Sequence, residues 1–369
     1  VFPIRIDRRW LATTLVLAAA CGDGSPVVPE QAAADLPARA IQAFDCQADL
    51  RAGVVSCGAP AASGASRAII GGQNEYVVLT SSNVTASSGI FAFNVTVQNL
   101  LPEGLGTPDG VLVDPAGIKV LFASGPTVTA GSGNVSVDNE DGNEVLIGTE
   151  PQPFFRYDQK LAQDEVSAAK EWRIAYDPGV ERFAFTLLVA TEVQPLLVIN
   201  EVMVNPSFQV DSDSEWFEVY NAGGLPVRME GMLIADSVAS GRRAFHRIAS
   251  PLNVEPGAYV VLGKNSNTTI NGGVPVDYAY GAAMSFVNNL GAFKISRTTS
   301  VAGDTLTIDR TQYASAAVSA QSGISRELRN PALDNSNMDG SNWADASVTA
   351  VYGSGGRGTP RAQNSTYTP

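Results

Sequence analysis

Histidine is nearly missing from this 369-residue chain, His246 being the only one. Centres built from clustered histidines are therefore excluded within one copy, and any histidine-dependent triad would have to use that residue. In Arg243-Ala244-Phe245-His246-Arg247-Ile248 it reads as an ordinary strand or loop histidine. Neither GxSxG nor HExxH occurs, so the commonest serine-hydrolase and zincin signatures are absent. The nearest approach to a phosphate loop, Gly257 to Asn265, has one residue too many and Asn265 in place of Ser or Thr, and its apolar run reads as a strand. Basic residues are few: 24 Lys and Arg face 37 Asp and Glu, for a net charge of −13. Without a basic cluster beyond Arg242, Arg243 and Arg247, a nucleic-acid partner is disfavoured, because such binding draws on grouped cations that neutralise phosphates.

The chain does hold 35 Gly and 21 Pro, with Val, Thr, Ser and Asn throughout and only 17% charged residues. That composition favours short strands joined by turns, and the length implies two domains of roughly 100 to 200 residues each. The fold class expected is all-β, with two immunoglobulin-like β-sandwiches over 45–195 and 196–369. The first is the acidic one: residues 22–195 hold 9 basic and 21 acidic groups, against 12 and 15 in 196–369. Within it, Phe91, Phe93, Val95 and Val97 alternate with Ala92, Asn94, Thr96 and Gln98, and the same period returns at Phe183, Phe185, Leu187 and Val189, placing each set on one strand face. Loosely spaced Leu161, Val166 and Ala169 suggest one helix over Gln159–Trp172. The acidic stretch Asp138 to Glu144 has two readings, a calcium loop and a solvated hairpin turn, and its offsets fail the EF-hand template.

Three cysteines remain to be placed. Arg5, Arg8 and Arg9 precede an apolar run from Trp10 to Ala20, about half the 20 residues needed to span a bilayer. This is a signal pattern. The run ends in Ala18-Ala19-Ala20-Cys21, which resembles a bacterial lipoprotein signal, with Ala18 where Leu is usual. The resemblance implies that Cys21 becomes the lipidated first residue of the mature chain. An ordinary secretory cut near Ala20 is the alternative, and Arg8-Arg9 faintly resembles a twin-arginine signal. Residues 22–44, rich in Ala, Pro and acidic side chains, read as a flexible tether. Cys46 and Cys57 then form a pair, read as a disulfide in an oxidising envelope, with a redox or metal site as the other option.

The second half resembles the lamin tail domain. The resemblance rests on segments in family order: Leu197 to Val204 with Asn200-Glu201 inside it, Glu215 to Asn221, Val227 to Asp236, Pro256-Gly257 leading into Tyr259 to Leu262, Asn288 to Gly291, Gly323-Ile324-Ser325, Asn342-Trp343, Gly358-Thr359-Pro360 and Asn364. Met232, Ala292 and Arg361 depart from the pattern, the last standing where Gly often follows Pro360. What the resemblance implies is a sandwich that recurs as an interaction or anchoring module. Asn200, Glu201, Glu218 and Asn221 read as partners of backbone groups at strand ends, and Trp343 as a core plug.

Calcium is the one candidate ion and no other cofactor is expected. Asp211, Asp213 and Glu215 alternate so that their carboxylates could share one face, while Asn335, Asn337 and Asp339-Gly340 partly mimic a calcium loop without its terminal Glu. The reading is a non-catalytic, lipid-anchored protein of a bacterial cell envelope, at the outer membrane or cell surface, acting as a structural, adhesive or protein-interaction module. Its expected partners are the membrane and an envelope protein or glycan. A carbohydrate or peptidoglycan binder, or an accessory subunit of a secreted hydrolase such as a nuclease, are the alternatives.

Overall fold

The computed structural model describes residues 40–58, 76–207, 213–238, 243–288, 290–298, 305–314 and 322–369. Cys21 and Asp211 lie outside them. The chain is all-β: among the described residues there is no α-helix, only a 3-10 turn at Gly281–Ala283, and no helix is long and apolar enough to cross a membrane.

Ten strands precede residue 195: β1 Ala40–Asp49, β2 Val54–Gly58, β3 Val77–Ser87, β4 Ile90–Asn99, β5 Ile118–Gly131, β6 Val135–Val137, β7 Gly142–Glu144, β8 Gln152–Tyr157, β9 Lys170–Tyr176 and β10 Val180–Ala190. They form two antiparallel sheets, ordered β2-β1-β10-β5-β8-β7 and β3-β4-β9-β6. The alternating apolar residues of β4 and β10 face each other between the sheets, where Phe91, Phe93, Phe183, Phe185 and Leu187 are all buried. Trp172 is the centre of that core, stacked on Phe155 with ring centroids 4.5 Å apart. The Cys46–Cys57 disulfide is formed, joining directly paired residues of the β1–β2 hairpin.

Three expectations are corrected here. Strand β1 takes in residues 40–44 of the expected 22–44 tether, with Ile41, Ala43 and Phe44 buried in the core. Gln159–Trp172 is not helical. Leu161 exchanges backbone hydrogen bonds with Leu105, Asn99 bonds Asp164 and Glu165, and β9 starts at Lys170, so the loose apolar spacing was outweighed by a free strand edge nearby. Finally, Asp138 to Glu144 is no hairpin turn, since β6 pairs with β9 and β7 with β8, in opposite sheets. The stretch crosses between sheets, and its acids meet cations: Asp138 pairs with Arg173 and Asp141 with Lys170.

Fourteen strands follow: β11 Leu197–Met203, β12 Trp216–Asn221, β13 Val227–Arg228, β14 Leu233–Val238, β15 Arg243–Arg247, β16 Asn253–Val254, β17 Tyr259–Gly263, β18 Tyr278–Ala279, β19 Gly291–Thr298, β20 Thr305–Tyr313, β21 Arg326–Leu328, β22 Trp343–Asp345, β23 Val351–Tyr352 and β24 Gly356–Arg357. The main sheets run β18-β17-β12-β11-β21-β22 and β15-β14-β19-β20, with β13-β16 and β23-β24 as small ribbons. A second apolar core, including Ile199, Phe217, Ile234, Phe293 and Trp343, lies between them.

The two bodies touch through polar groups and through Leu225, which packs against the first apolar core. Glu103 of the first is buried and its Oε1 accepts the Leu225 N–H of the second at 3.0 Å. A Cβ on Gly223 would sit 2.1 Å from that oxygen, so any larger residue there would displace the Glu103 carboxylate. Arg297 adds an ion pair to Glu192 at 3.1 Å and donates to the Pro108 carbonyl at 3.2 Å.

Candidate functional site: a row of buried glutamates

Strand β11 carries a polar pair, Asn200-Glu201, in the middle of an apolar run. Its register on β12 slips between Ile199 and Glu201, a bulge that reverses the in–out phase of the strand. Before it Leu197 and Ile199 face the core; after it Val202 and Val204 do. Glu201 is thereby turned to the other side of the sheet, beside Met203, which packs there with Trp216 and Val261. On that face Glu201 lies directly opposite Glu218 of β12 and Glu327 of β21. All three are fully buried.

Like charges opposite one another in a sheet destabilise it, so the neighbours decide how the row survives. The segment 358–366 covers it. Thr359 donates its N–H to Glu201 Oε1 at 2.9 Å, and Ser325 donates its hydroxyl to the same oxygen. Arg361 N–H reaches Glu218 Oε2 at 2.6 Å, while Asn200 Nδ2 reaches Glu218 Oε1 at 3.0 Å. Glu327 takes the Ser365 hydroxyl at 2.8 Å and the Thr366 N–H at 2.9 Å. Asn364 ties this cover down, its Nδ2 donating to the carbonyls of Asn200 at 3.0 Å and Leu328 at 2.7 Å. Gly358 leaves room for this cover, because a Cβ there would stand 2.5 Å from Glu201 Oε1 and 2.8 Å from Ser325 Oγ and force one of them to move. Arg361 adopts a left-handed φ of +65°, a conformation glycine takes without cost; its guanidinium pairs with Asp277.

Counting hydrogens favours a proton held within the row. Thr359 Oγ1 lies 3.0 Å from Glu201 Oε2, 3.2 Å from Glu327 Oε1 and 3.3 Å from Asn364 Oδ1. One hydroxyl hydrogen cannot serve three acceptors. A proton held on a carboxyl resolves the conflict, donated to Thr359 Oγ1 while that hydroxyl donates onward. Burial, and then the charge of Glu327, push Glu201 up to about 8; burial and the charge of Glu201 push Glu218 up to about 9. Both shifts favour the protonated acids of Glu201 and Glu218 at neutral pH, in a medium closed to solvent.

The remaining candidates fall elsewhere. Of the proposed calcium ladder, Asp213 is half-exposed, but Glu215 is buried and its Oε2 accepts the Phe286 N–H at 3.1 Å. Asn335 points inward to the Ile199 carbonyl and Asp309 Oδ2, at 3.2 and 2.7 Å. Asn337 caps the Asp339 N–H at 3.0 Å, and Asp339 accepts the Ala314 N–H at 2.7 Å. Among the described residues no group of three or more His, Cys, Asp or Glu side chains could hold a metal ion. His246 sits on β15 with Nε2 2.6 Å from the Tyr278 hydroxyl, its pKa lowered by burial. Trp343 is buried and donates to the Asn335 carbonyl.

Asn221 binds backbone groups at the end of β12, accepting from Gly223 N–H at 2.9 Å and donating to Leu225 and Val254 carbonyls. Glu201 and Glu218 also bind backbone N–H groups, but from the C-terminal segment and in mid-sheet. Sequence reasoning missed Glu327, Ser365 and Thr366. The one signal for Glu327 was its place between Arg326 and Leu328 in a strand three residues long, too short to show alternation.

No family model matches this chain, and no curated protein does. Among solved structures it is similar to the crystal structure of a DUF4876 family protein from Bacteroides thetaiotaomicron, at 10% identity and a TM-score of 0.32, over 84% of this chain and 91% of that one.

Proposed function

We propose that this chain is a non-catalytic protein held at a bacterial cell envelope by a lipid on Cys21, with 196–369 serving as a structural, adhesive or protein-interaction module of lamin-tail type. The observation that carries the reading is the closure of the glutamate row. Its carboxyls are the densest acid chemistry in the described chain, and their hydrogen-bonding capacity is taken up by Ser325, Thr359, Arg361, Ser365 and Thr366 of the same chain. A general acid or base needs reach to a substrate atom; these groups are sealed from solvent. The family resemblance is supported by the same cluster, since Asn200-Glu201, Glu218, Ser325, Gly358-Thr359 and Asn364, far apart in sequence, meet there.

Two experiments test this. Replacing Cys21 with Ser should move the protein from the detergent-extracted membrane fraction to the soluble envelope fraction; unchanged partitioning sinks the anchor. Envelope extract is then passed over the immobilised Cys21→Ser chain. Retention of a specific protein supports the interaction module, whereas retained polysaccharide alone puts glycan binding in its place.

A further inference from the structure

Three consecutive large apolar residues stand in water on the first sandwich: Val111 is 71% exposed, Leu112 63% and Val113 45%. They form the tip of a loop whose neck is closed by the Asp114 N–H to Gly106 carbonyl bond, at 2.8 Å. The tip is held out by polar braces. Asp109 Oδ1 accepts the N–H groups of Val111 and Leu112 at 2.9 and 2.8 Å, and burial is outweighed by those bonds so that its pKa is lowered. Thr107 Oγ1 accepts the Gly110 N–H at 2.9 Å, and Lys160 Nζ donates to the carbonyls of Gly110 and Val111 at 2.9 and 3.1 Å. A loop that merely failed to bury its side chains would not need this framework, and a preorganised tip loses little freedom on contact.

Its position names what it meets. The neck residue Gly106 donates its N–H to the Glu192 carbonyl at 2.9 Å and to Thr191 Oγ1 at 3.0 Å. Ala40, the first described residue, pairs with Ala190. Ala40 therefore meets the last residue of β10, and the loop neck is bound by the two residues that follow that strand. Cys21 lies nineteen residues before Ala40, a reach of at most about 65 Å.

We propose that the Val111-Leu112-Val113 tip inserts into the interfacial region of the bilayer to which Cys21 tethers the chain, seating the first sandwich on the membrane. This deepens the anchored reading above and rests on it. A three-residue apolar tip binds lipid weakly alone, but a short tether raises its local concentration near the surface to roughly the millimolar range. The body of the module is acidic, so an anionic leaflet repels it, and the uncharged tip is the part that can approach.

The test uses the full lipidated chain on vesicles of phosphatidylethanolamine and phosphatidylglycerol, with and without brominated acyl chains. Trp172, Trp216 and Trp343 are buried, so the unsubstituted protein gives a low baseline. Leu112→Trp should be quenched by brominated lipid roughly two-fold more than Val351→Trp, a control at a 60% exposed position of the second sandwich. Flotation with equal quenching of the two variants overturns the proposal and assigns the tip to a protein contact. Failure of the protein to float overturns the anchor, and the tip's role with it. Hydrogen exchange on the unsubstituted chain is the second measurement: vesicles should slow the amides of residues 110–113, and unchanged exchange there counts against insertion.

Discussion

Replacing Glu201 with Gln should stabilise this protein at neutral pH. The folded pKa of Glu201 is raised from the ordinary 4.5 to about 8. Between those values the unfolded chain has lost the proton and the folded chain keeps it, so folding takes up a proton and stability falls as pH rises. The contribution is fully present below pH 4.5 and has gone once pH passes the folded pKa. Each unit of pH within the window costs about 1.4 kcal/mol per carboxyl, or roughly 3 kcal/mol from pH 5 to pH 7. Glu218 acts in the same direction up to about 9, the two titrating as a pair, and Asp236, raised by burial to about 6, adds to the lower end. His246 opposes them below its ordinary value of 6.5, because its folded pKa is lowered, but it is only partly buried. Gln mimics the protonated acid: its oxygen accepts from Thr359 N–H and Ser325, and its amide donates to Thr359 Oγ1, freeing that hydroxyl for Glu327. Urea unfolding of the full chain from pH 5 to 8 reads the effect. The wild type should lose stability with rising pH, and Glu201→Gln should be more stable at pH 7 by about 2–3 kcal/mol, with a slope shallower by about one proton. A wild-type profile that is flat or rises over that range, or identical slopes, refutes the reasoning.

Gly358→Ala pushes a methyl group into Glu201 Oε1 and Ser325 Oγ and should cost about 1–3 kcal/mol, the range for overpacking, measured as a lowered urea midpoint at unchanged m-value. Trp172→Ala empties the centre of the first core, where the indole stacks on Phe155 and contacts Phe93 and Phe122; a loss of about 3–5 kcal/mol is expected, and a loss below about 1 kcal/mol, the size of an ordinary substitution, would contradict this core assignment. Adding millimolar calcium should leave the melting temperature unchanged, because Glu215 and Asn335 are spent on internal hydrogen bonds; a calcium-dependent rise abolished by Asp213→Ala would overturn that assignment.

Much of the fold was legible in period and composition. Phe91 to Val97 alternate so strictly that the strand and its buried face follow together, Phe183 to Val189 keep the same period apart from the buried Leu188, and the Cys46–Cys57 pairing followed from having two cysteines left over. The helix expected over Gln159–Trp172 failed for a physical reason: three loosely spaced apolar residues do not outweigh the backbone bonds offered by Asn99 and Leu105. The acidic crossing failed because hairpin and sheet-to-sheet connections share turn chemistry, and only register tells them apart. The glutamate row was half legible. Asn200-Glu201 in an apolar strand is conspicuous, but which side it faces depends on a bulge, and its partner Glu327 lies 126 positions away in sequence.

The bulge at Asn200 links the two faces of the second sandwich. Without it, strict alternation would place Val202 and Val204 on the face of Glu201 and send Glu201 into the apolar core, so one inserted residue keeps both surfaces consistent. The face that gains Glu201 cannot be left open, since three carboxyls in register repel one another and a solvated row would ionise. It is closed by the segment from Gly358 to Thr366. That places donors for Glu201, Glu218 and Glu327 on one continuous segment, where Thr359, Arg361, Ser365 and Thr366 engage together. The same segment supplies Asn364, whose amide spans β11 and β21 through the Asn200 and Leu328 carbonyls. Each donor lost leaves a buried carboxyl under-satisfied, so the residues of this cover are coupled, and substitutions within it should combine with non-additive effects on stability.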